Sequence, residues 1–232
     1  MDSSILKNIN LFSDLSEDEL NRIFSKCSIR KFSKGDMIFF DTEPYIGFYM
    51  IVEGSVKIFK FLKDGREHIL HFVNPYNTFA EVPLFEQYEK IKNQDFTYPA
   101  NSMAIEDDTV LILIRSSVFY SLIENNSKLC LKMISGLAKK LRLMNKHIES
   151  ISLDVPKRLA KYILEQFNSN ADNDKEYIEL PISKHDLSSY LGTIDETLSR
   201  TFKKFQDEGV IKVSGKNIYI SDKAVLKKFA SI

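Results

Sequence analysis

The residues from Ile182 to Asp222, ISKHDLSSYLGTIDETLSRTFKKFQDEGVIKVSGKNIYISD, constrain this chain more than any other stretch. Ser183 followed by Asp186 predicts an N-capped helix. Leu187 and Leu191 repeat at helical spacing within it, and Gly192 ends it in the left-handed conformation. A second helix is predicted from Asp195 to Asp207, with Leu198, Phe202 and Phe205 on its buried side. Glu196, Ser199, Arg200 and Lys203 fall on the opposite side. An acceptor, a hydroxyl and a guanidinium within about a turn and a half suit the reading of base edges in a major groove. Gly209 stops this helix. Val210–Val213 and Ile218–Ser221 then read as two strands around Ser214-Gly215-Lys216-Asn217, a hairpin that forms a two-stranded wing.

At 232 residues the chain has room for one large domain or two modest ones. Its 44% hydrophobic and 28% charged content is that of a water-soluble globule. No apolar run reaches the roughly 18–20 residues of a membrane span, and MDSSILKNINLF has neither the basic start nor the apolar centre of a secretory signal. Cys27 and Cys130 stand alone, so no disulfide framework is implied and a reducing cytoplasm is expected. Two thiols cannot hold an ordinary iron–sulfur cluster. From Asp154 onward, 13 Lys and Arg face 12 Asp and Glu, a net charge of +1, which is low for a nucleic-acid-binding domain. No nucleophile–base pair, metal-ligand cluster or phosphate-cradling glycine loop is visible, which argues against an enzyme.

Residues 1–30 read as helical, with Leu11, Leu15, Leu20, Ile23 and Phe24 as an apolar stripe and Ser16/Glu19 as a capping box. The period changes over 31–114. Residues 37–40, 48–54, 55–62, 68–73 and 110–114 are β-branched or aromatic runs separated by turn signals, an antiparallel sandwich or roll. Helix returns from Ser116 to Ile151, broken at Glu124-Asn125-Asn126-Ser127. In the long part, Cys130, Met133, Leu137, Lys140, Met144, His147 and Ile151 recur at spacings of three and four. This heptad seam is expected to bind a second copy, through Met133, Leu137, Met144 and Ile151 above all. Leu141 and Ile148 form a second apolar edge, expected to face the roll. Leu153-Asp154-Val155-Pro156 is a hinge, with Asp154 as N-cap and Pro156 early in the next helix. The fold class expected is α+β: a roll over residues 1–115, a dimerisation helix over 116–152 and a winged helix-turn-helix over 153–232.

A β-roll, a long helix and a winged helix-turn-helix, in that order, resemble the Crp/Fnr family of bacterial transcription regulators, over about residues 5 to 225. The most specific segments are Gly192–Arg200 (GTIDETLSR) and Leu153–Leu159 (LDVPKRL). The resemblance implies a homodimer that binds double-stranded DNA and engages RNA polymerase in the cytoplasm. It implies that Arg200 donates to a guanine and that Glu196 accepts from a cytosine amino group or nearby, which the chemistry of both side chains allows. Ser199 directly before Arg200 is similar to the Fnr, Dnr and HcpR-like branch, although the Fnr cysteine cluster is missing. Asp195 stands where the cyclic-AMP receptor has a base-reading Arg, so a TTGA-like palindrome is expected rather than GTGA. Ser183, Lys184, Thr197 and Lys216 match positions that contact the phosphate backbone.

The resemblance also implies an effector cassette, at Phe79–Glu81 and Ala100–Asp107, and here the chain departs from the family. Phe79-Ala80-Glu81 keeps the cassette's Glu but replaces its Gly. Tyr98-Pro99 stands where cyclic-nucleotide sensors have the Arg-Ser pair that holds the cyclic phosphate. Neither residue compensates a buried anion, and Leu143 and Met144 replace the hydroxyls that hold adenine, so cyclic AMP is rejected as ligand. Phe72, Phe79, Tyr98, Leu143, Met144 and His147 are expected to line an apolar chamber beside the long helix, with Glu81 near it and Phe85–Thr97 as its rim. Such a chamber would admit haem, hence a redox or nitric-oxide signal. Yet His68, His71 and His147 form no known haem motif, and a thiol sensor at Cys27 or Cys130 is the weaker option. The alternative to a DNA-binding regulator is a winged-helix module that docks another protein.

Overall fold

The computed structural model describes residues 2–86, 96–124, 126–169 and 177–230. Outside them fall most of the rim segment (87–95), Asn125 of the helix break and most of the polar loop after Asn168 (170–176). The chain divides into two compact units, Met1–Leu141 and Arg142–Ile232, and the divide lies within one long helix.

The first unit opens with a short 3-10 turn, Ser3–Asn8, and helix α1, Glu17–Phe24. The Ser16/Glu19 capping box forms as the sequence predicts: Ser16 Oγ accepts from the Glu19 amide, and Glu19 accepts from the Ser16 amide at 2.8 Å. The expected helical region stops short of residue 30, because Ser28–Phe32 is already a strand, β1. It is followed by β2 (Met37–Phe39), β3 (Gly47–Glu53), β4 (Val56–Phe61), β5 (Glu67–Val73), β6 (Thr78–Phe79), helix α2 (Val82–Glu86), β7 (Asn101–Ala104) and β8 (Thr109–Arg115). They make two four-stranded antiparallel sheets, ordered β1-β8-β3-β6 and β2-β7-β4-β5.

Strands β3 and β8 are buried on both faces, which is why they read as unbroken apolar runs. Tyr49, Ile51, Leu111 and Leu113 point into the roll, where they meet Phe39, Phe79 and Tyr98. Phe48, Met50, Ile112 and Ile114 point the other way, against Leu6, Leu20, Ile23 and Phe119. Three strands escape the sequence reading. β6 has two residues, β7 (NSMA) has no β-branched side chain, and β1 (SIRKF) is an edge strand paired only with β8. Pairing and burial hold β7: Asn101 is buried and donates from Nδ2 to the Phe59 carbonyl at 3.4 Å.

Helices α3 (Ser116–Ile123) and α4 (Ser127–Ile151) follow. On α4 two residues of the expected seam, Met133 and Leu137, face the first unit's own core. Met133, 3% exposed, and Leu129 belong to the first unit's own core, and Leu137 packs against it. Lys140, one turn on, is bound to Glu81. Left outward are Leu131, Ile134, Leu141, Leu143 and Ile148, each 59–66% exposed, and Met144 at 44%. The cause is helical geometry: once Leu129 and Met133 cover the core beside α1 and α3, side chains about 100° round the helix must face solvent.

The second unit holds α5 (Val155–Ser169), β9 (Tyr177–Glu179), α6 (Lys184–Tyr190), α7 (Asp195–Asp207), β10 (Ile211–Ser214), β11 (Asn217–Ile220) and α8 (Lys223–Ala230). Asp154 caps α5, accepting from the Lys157 amide at 3.0 Å. The wing differs from expectation in two ways. Its turn is only Gly215-Lys216, because Ser214 already pairs with Asn217. It also has a third strand, since β9 pairs antiparallel with β11. Three residues are too few to show an alternation in sequence.

Candidate nucleic-acid interface and ligand cassette

Helices α6 and α7 are the helix-turn-helix. Ser183 caps α6: its hydroxyl accepts from the Asp186 amide at 3.0 Å and donates to the Asp186 carboxylate at 2.6 Å. Gly192 follows α6 with φ +63°, the left-handed turn that its sequence position predicts. α7 buries Leu198, Phe202 and Phe205 and leaves Glu196, Ser199, Arg200 and Lys203 exposed. Arg200 and Glu196, one turn apart, form an ion pair in solvent, with 75% of the arginine side chain exposed. An exposed i,i+4 pair contributes only about 0.3–0.5 kcal/mol, so both groups stay available to a ligand.

Asp195, at the first position of α7, is committed elsewhere. Its carboxylate accepts from the Ser188 hydroxyl and lies 3.0 Å from His185 Nδ1. These two contacts, Ser188 first, hold its pKa below the ordinary carboxylate value. Asp195 therefore ties α6 to α7. Of the expected phosphate contacts, Lys184 and Lys216 are exposed, and the Lys184 ammonium lies 5.5 Å over the Phe202 ring. Thr197 is half-buried, and its carbonyl accepts from Thr201 Oγ1 at 2.8 Å.

The expected effector residues are divided between the two units, with Phe72, Phe79, Glu81 and Tyr98 in the first and Leu143, Met144 and His147 in the second. Phe79 and Tyr98 are core residues, in a stack with Phe39 and Tyr49: Phe39 lies 3.8 Å from Tyr98, and Tyr49 lies 5.3 Å from Phe79, centroid to centroid. Burial pushes the Tyr98 phenol above its ordinary pKa, and its hydroxyl donates to the Gly47 carbonyl at 3.2 Å. Phe72 is half-buried on β5. Leu143 and Met144 are exposed. His147 lies in the second unit, where its ring stacks on Tyr190 at 4.3 Å. Burial pushes the Cys27 thiol up to about 11, which disfavours its reactive thiolate.

Glu81 is the cassette residue that stays polar and buried, at 3% exposure. Its carboxylate accepts from the Thr78 hydroxyl at 2.8 Å and pairs with the Lys140 ammonium, which also donates to the Thr78 carbonyl at 2.6 Å. Next to it, Ala80 has φ +63°, so it keeps a left-handed conformation without a glycine. The Tyr45 hydroxyl holds the Ala80 carbonyl at 2.9 Å, and the Tyr45 ring meets Tyr98 edge-on at 5.1 Å.

Residues 157–229 match the model of the Crp-like helix-turn-helix domain, and residues 29–126 match that of the cyclic nucleotide-binding domain. The chain belongs to the Crp/Fnr family of transcription regulators. It is 23% identical to the CRP-like cAMP-activated global transcriptional regulator of Mycobacterium tuberculosis, over 97% of this chain and 98% of the relative. Among solved structures, FixK2 from Bradyrhizobium japonicum superposes with a TM-score of 0.73 at 23% identity, covering 89% of this chain and 98% of that one. DNR from Pseudomonas aeruginosa is 28% identical with a TM-score of 0.50, covering 97% and 96%. The chain is thus a DNA-binding transcription regulator with a cyclic-nucleotide-binding-type domain, and its relatives are regulators rather than enzymes. Among the described residues no helix is long and apolar enough to cross a membrane.

One residue of this Crp/Fnr chain was missed as a functional group although it lies in the LDVPKRL segment. Arg158 donates from Nε to the Leu153 carbonyl at 2.7 Å, and from Nη1 to the carbonyls of Leu191 at 2.5 Å and Gly192 at 3.3 Å. One guanidinium thus joins the hinge to the turn of the helix-turn-helix and satisfies carbonyls that the end of α6 leaves open. Sequence could have offered only the charge itself, since its three acceptors are backbone atoms.

Two outcomes are expected. Arg158→Met should cost about 2 kcal/mol, because charge-assisted hydrogen bonds are lost, and should raise hydrogen exchange at the Leu191–Gly192 turn. Arg158→Lys should recover only part of this, since a point ammonium cannot span the fork. Ala80→Gly should stabilise the first unit by about 1 kcal/mol in urea denaturation, by relieving the left-handed strain.

Proposed function

We propose that this regulator acts in the cytoplasm as a homodimer that reads a TTGA-like palindrome and recruits RNA polymerase. The exposed face of α7 carries the reading: Glu196, Ser199 and Arg200 stand clear of the core, with Arg200 offering a bidentate donor to guanine and Glu196 an acceptor to cytosine. Ser183, Lys184, Thr197 and Lys216 would set register on the phosphates. The near-neutral second half of the chain fits modest non-specific affinity, with cations where contacts are made.

The dimer is supported by α4. Leu131, Ile134, Leu141 and Ile148 follow the three-four spacing of a coiled-coil seam, filled in by Ala138 and Asn145, and all six are exposed in the single chain. A stripe of this length and apolarity calls for a partner. A second copy of the same helix supplies one and would set two recognition helices about one DNA turn, roughly 34 Å, apart.

The effector is not cyclic AMP on this reading, although the mycobacterial relative is described as cAMP-activated. Tyr98 and Pro99 offer no cation to a cyclic phosphate, and the cassette carboxylate is already paired with Lys140.

Arg200→Ala should lose about 1–3 kcal/mol of affinity for a TTGA palindrome in a fluorescence-anisotropy titration, with the salt dependence nearly unchanged. Equal affinity of the wild type for a scrambled duplex would contradict base reading. Leu141→Glu should shift the chain from dimer to monomer in sedimentation at micromolar concentration, and an unchanged dimer would contradict the seam.

A further inference from the structure

Removing a carboxylate from water costs several kcal/mol unless hydrogen bonds and a countercharge replace the lost solvent. Glu81 is 3% exposed, so its carboxylate needs such replacements. Its countercharge comes from 59 residues along the chain, on the long helix. The contacts form a small socket. The Lys140 ammonium donates to the Glu81 carboxylate and to the Thr78 carbonyl, and the Thr78 hydroxyl donates to the same carboxylate. The backbone there is held in shape by the Tyr45 hydroxyl on the strained Ala80. The Lys140 side chain is itself 35% exposed, so the socket opens toward solvent along the lysine stem.

We propose that Glu81 and Thr78 form a binding site selective for primary ammonium groups, and that its resident ligand is the chain's own Lys140. Two acceptors meet two of the three ammonium donors, and the open side leaves the third to water. A quaternary ammonium has no N–H to give and fits neither acceptor. A hydroxyl brings no charge to the buried carboxylate. An anion would be repelled by it. With Lys140 seated, the middle of α4 is latched to the segment between β6 and α2. A signal that draws this ammonium away would release that contact. This rests on reading the cassette as the place where the regulator is controlled, but the site's chemistry can be measured without DNA.

The test is chemical rescue in a thermal melt of the full chain. Lys140→Ala removes the atoms of n-propylammonium and should lower the melting temperature by several degrees. Millimolar n-propylammonium should restore at least half of that loss, saturably, while tetramethylammonium at the same ionic strength should restore none. Glu81→Gln in the Lys140→Ala background should abolish the rescue. If Lys140→Ala does not fold, Lys140→Met, Glu81→Gln and their double variant decide the matter. The double variant should be more stable than Lys140→Met alone, because it leaves no unpaired buried charge. A wild-type melt for Lys140→Ala, rescue no better by n-propylammonium than by tetramethylammonium, or additive losses in the double variant would each overturn the proposal. Palindrome binding by the wild type enters none of these readouts, so failure of the DNA reading would be seen separately.

Discussion

The structure turns on one helix with two apolar faces, of which the chain satisfies only one. Along α4, Leu129, Met133 and Leu137 close the core formed by α1, α3 and the outer face of β3 and β8. This commits the helix's rotation. Leu131, Ile134, Leu141 and Ile148 are then left in water, at a cost of about 25 cal/mol for each Å² of apolar surface that a partner would cover. Core packing within one chain thus determines which apolar face of α4 remains exposed.

A cyclic-nucleotide-binding-type fold does not by itself imply a cyclic-nucleotide ligand. Here the roll holds Ala80 in a left-handed conformation, where a side chain must be tolerated. Its interior is filled by stacked rings, and its buried carboxylate is neutralised by an ammonium from the same chain. Aromatic stacking and an internal ion pair replace what a phosphate-binding arginine and a bound nucleotide would supply in a sensor of the other kind. The helix-turn-helix shows a similar economy: Asp195, Ser188 and His185 join its two helices, and Arg158 joins their turn to the hinge.

Local signals were legible and distant ones were not. The Ser16 and Ser183 caps, the left-handed Gly192, the extent of α7 and its exposed polar face all follow from spacings of a few residues. The faces of α4 did not, because both stripes carry three-four spacing and only the neighbouring α1 and α3 decide between them. β7 and β9 were missed because their pairing partners, not their own residues, make them strands. His147 was read as a seam and chamber residue, and its stacking on Tyr190, 43 residues on, left no local trace. Lys140, 59 residues from its partner Glu81, was read as part of a dimer seam.

The central claim is that the Arg200 guanidinium reads a guanine edge. The direct measurement is a coupling experiment: wild type and Arg200→Ala, each titrated with a TTGA palindrome carrying either guanine or 7-deazaguanine in the half-site. The analogue lacks the N7 acceptor and should weaken the wild type by about tenfold, while leaving Arg200→Ala unchanged. Equal losses for both proteins would contradict the assignment.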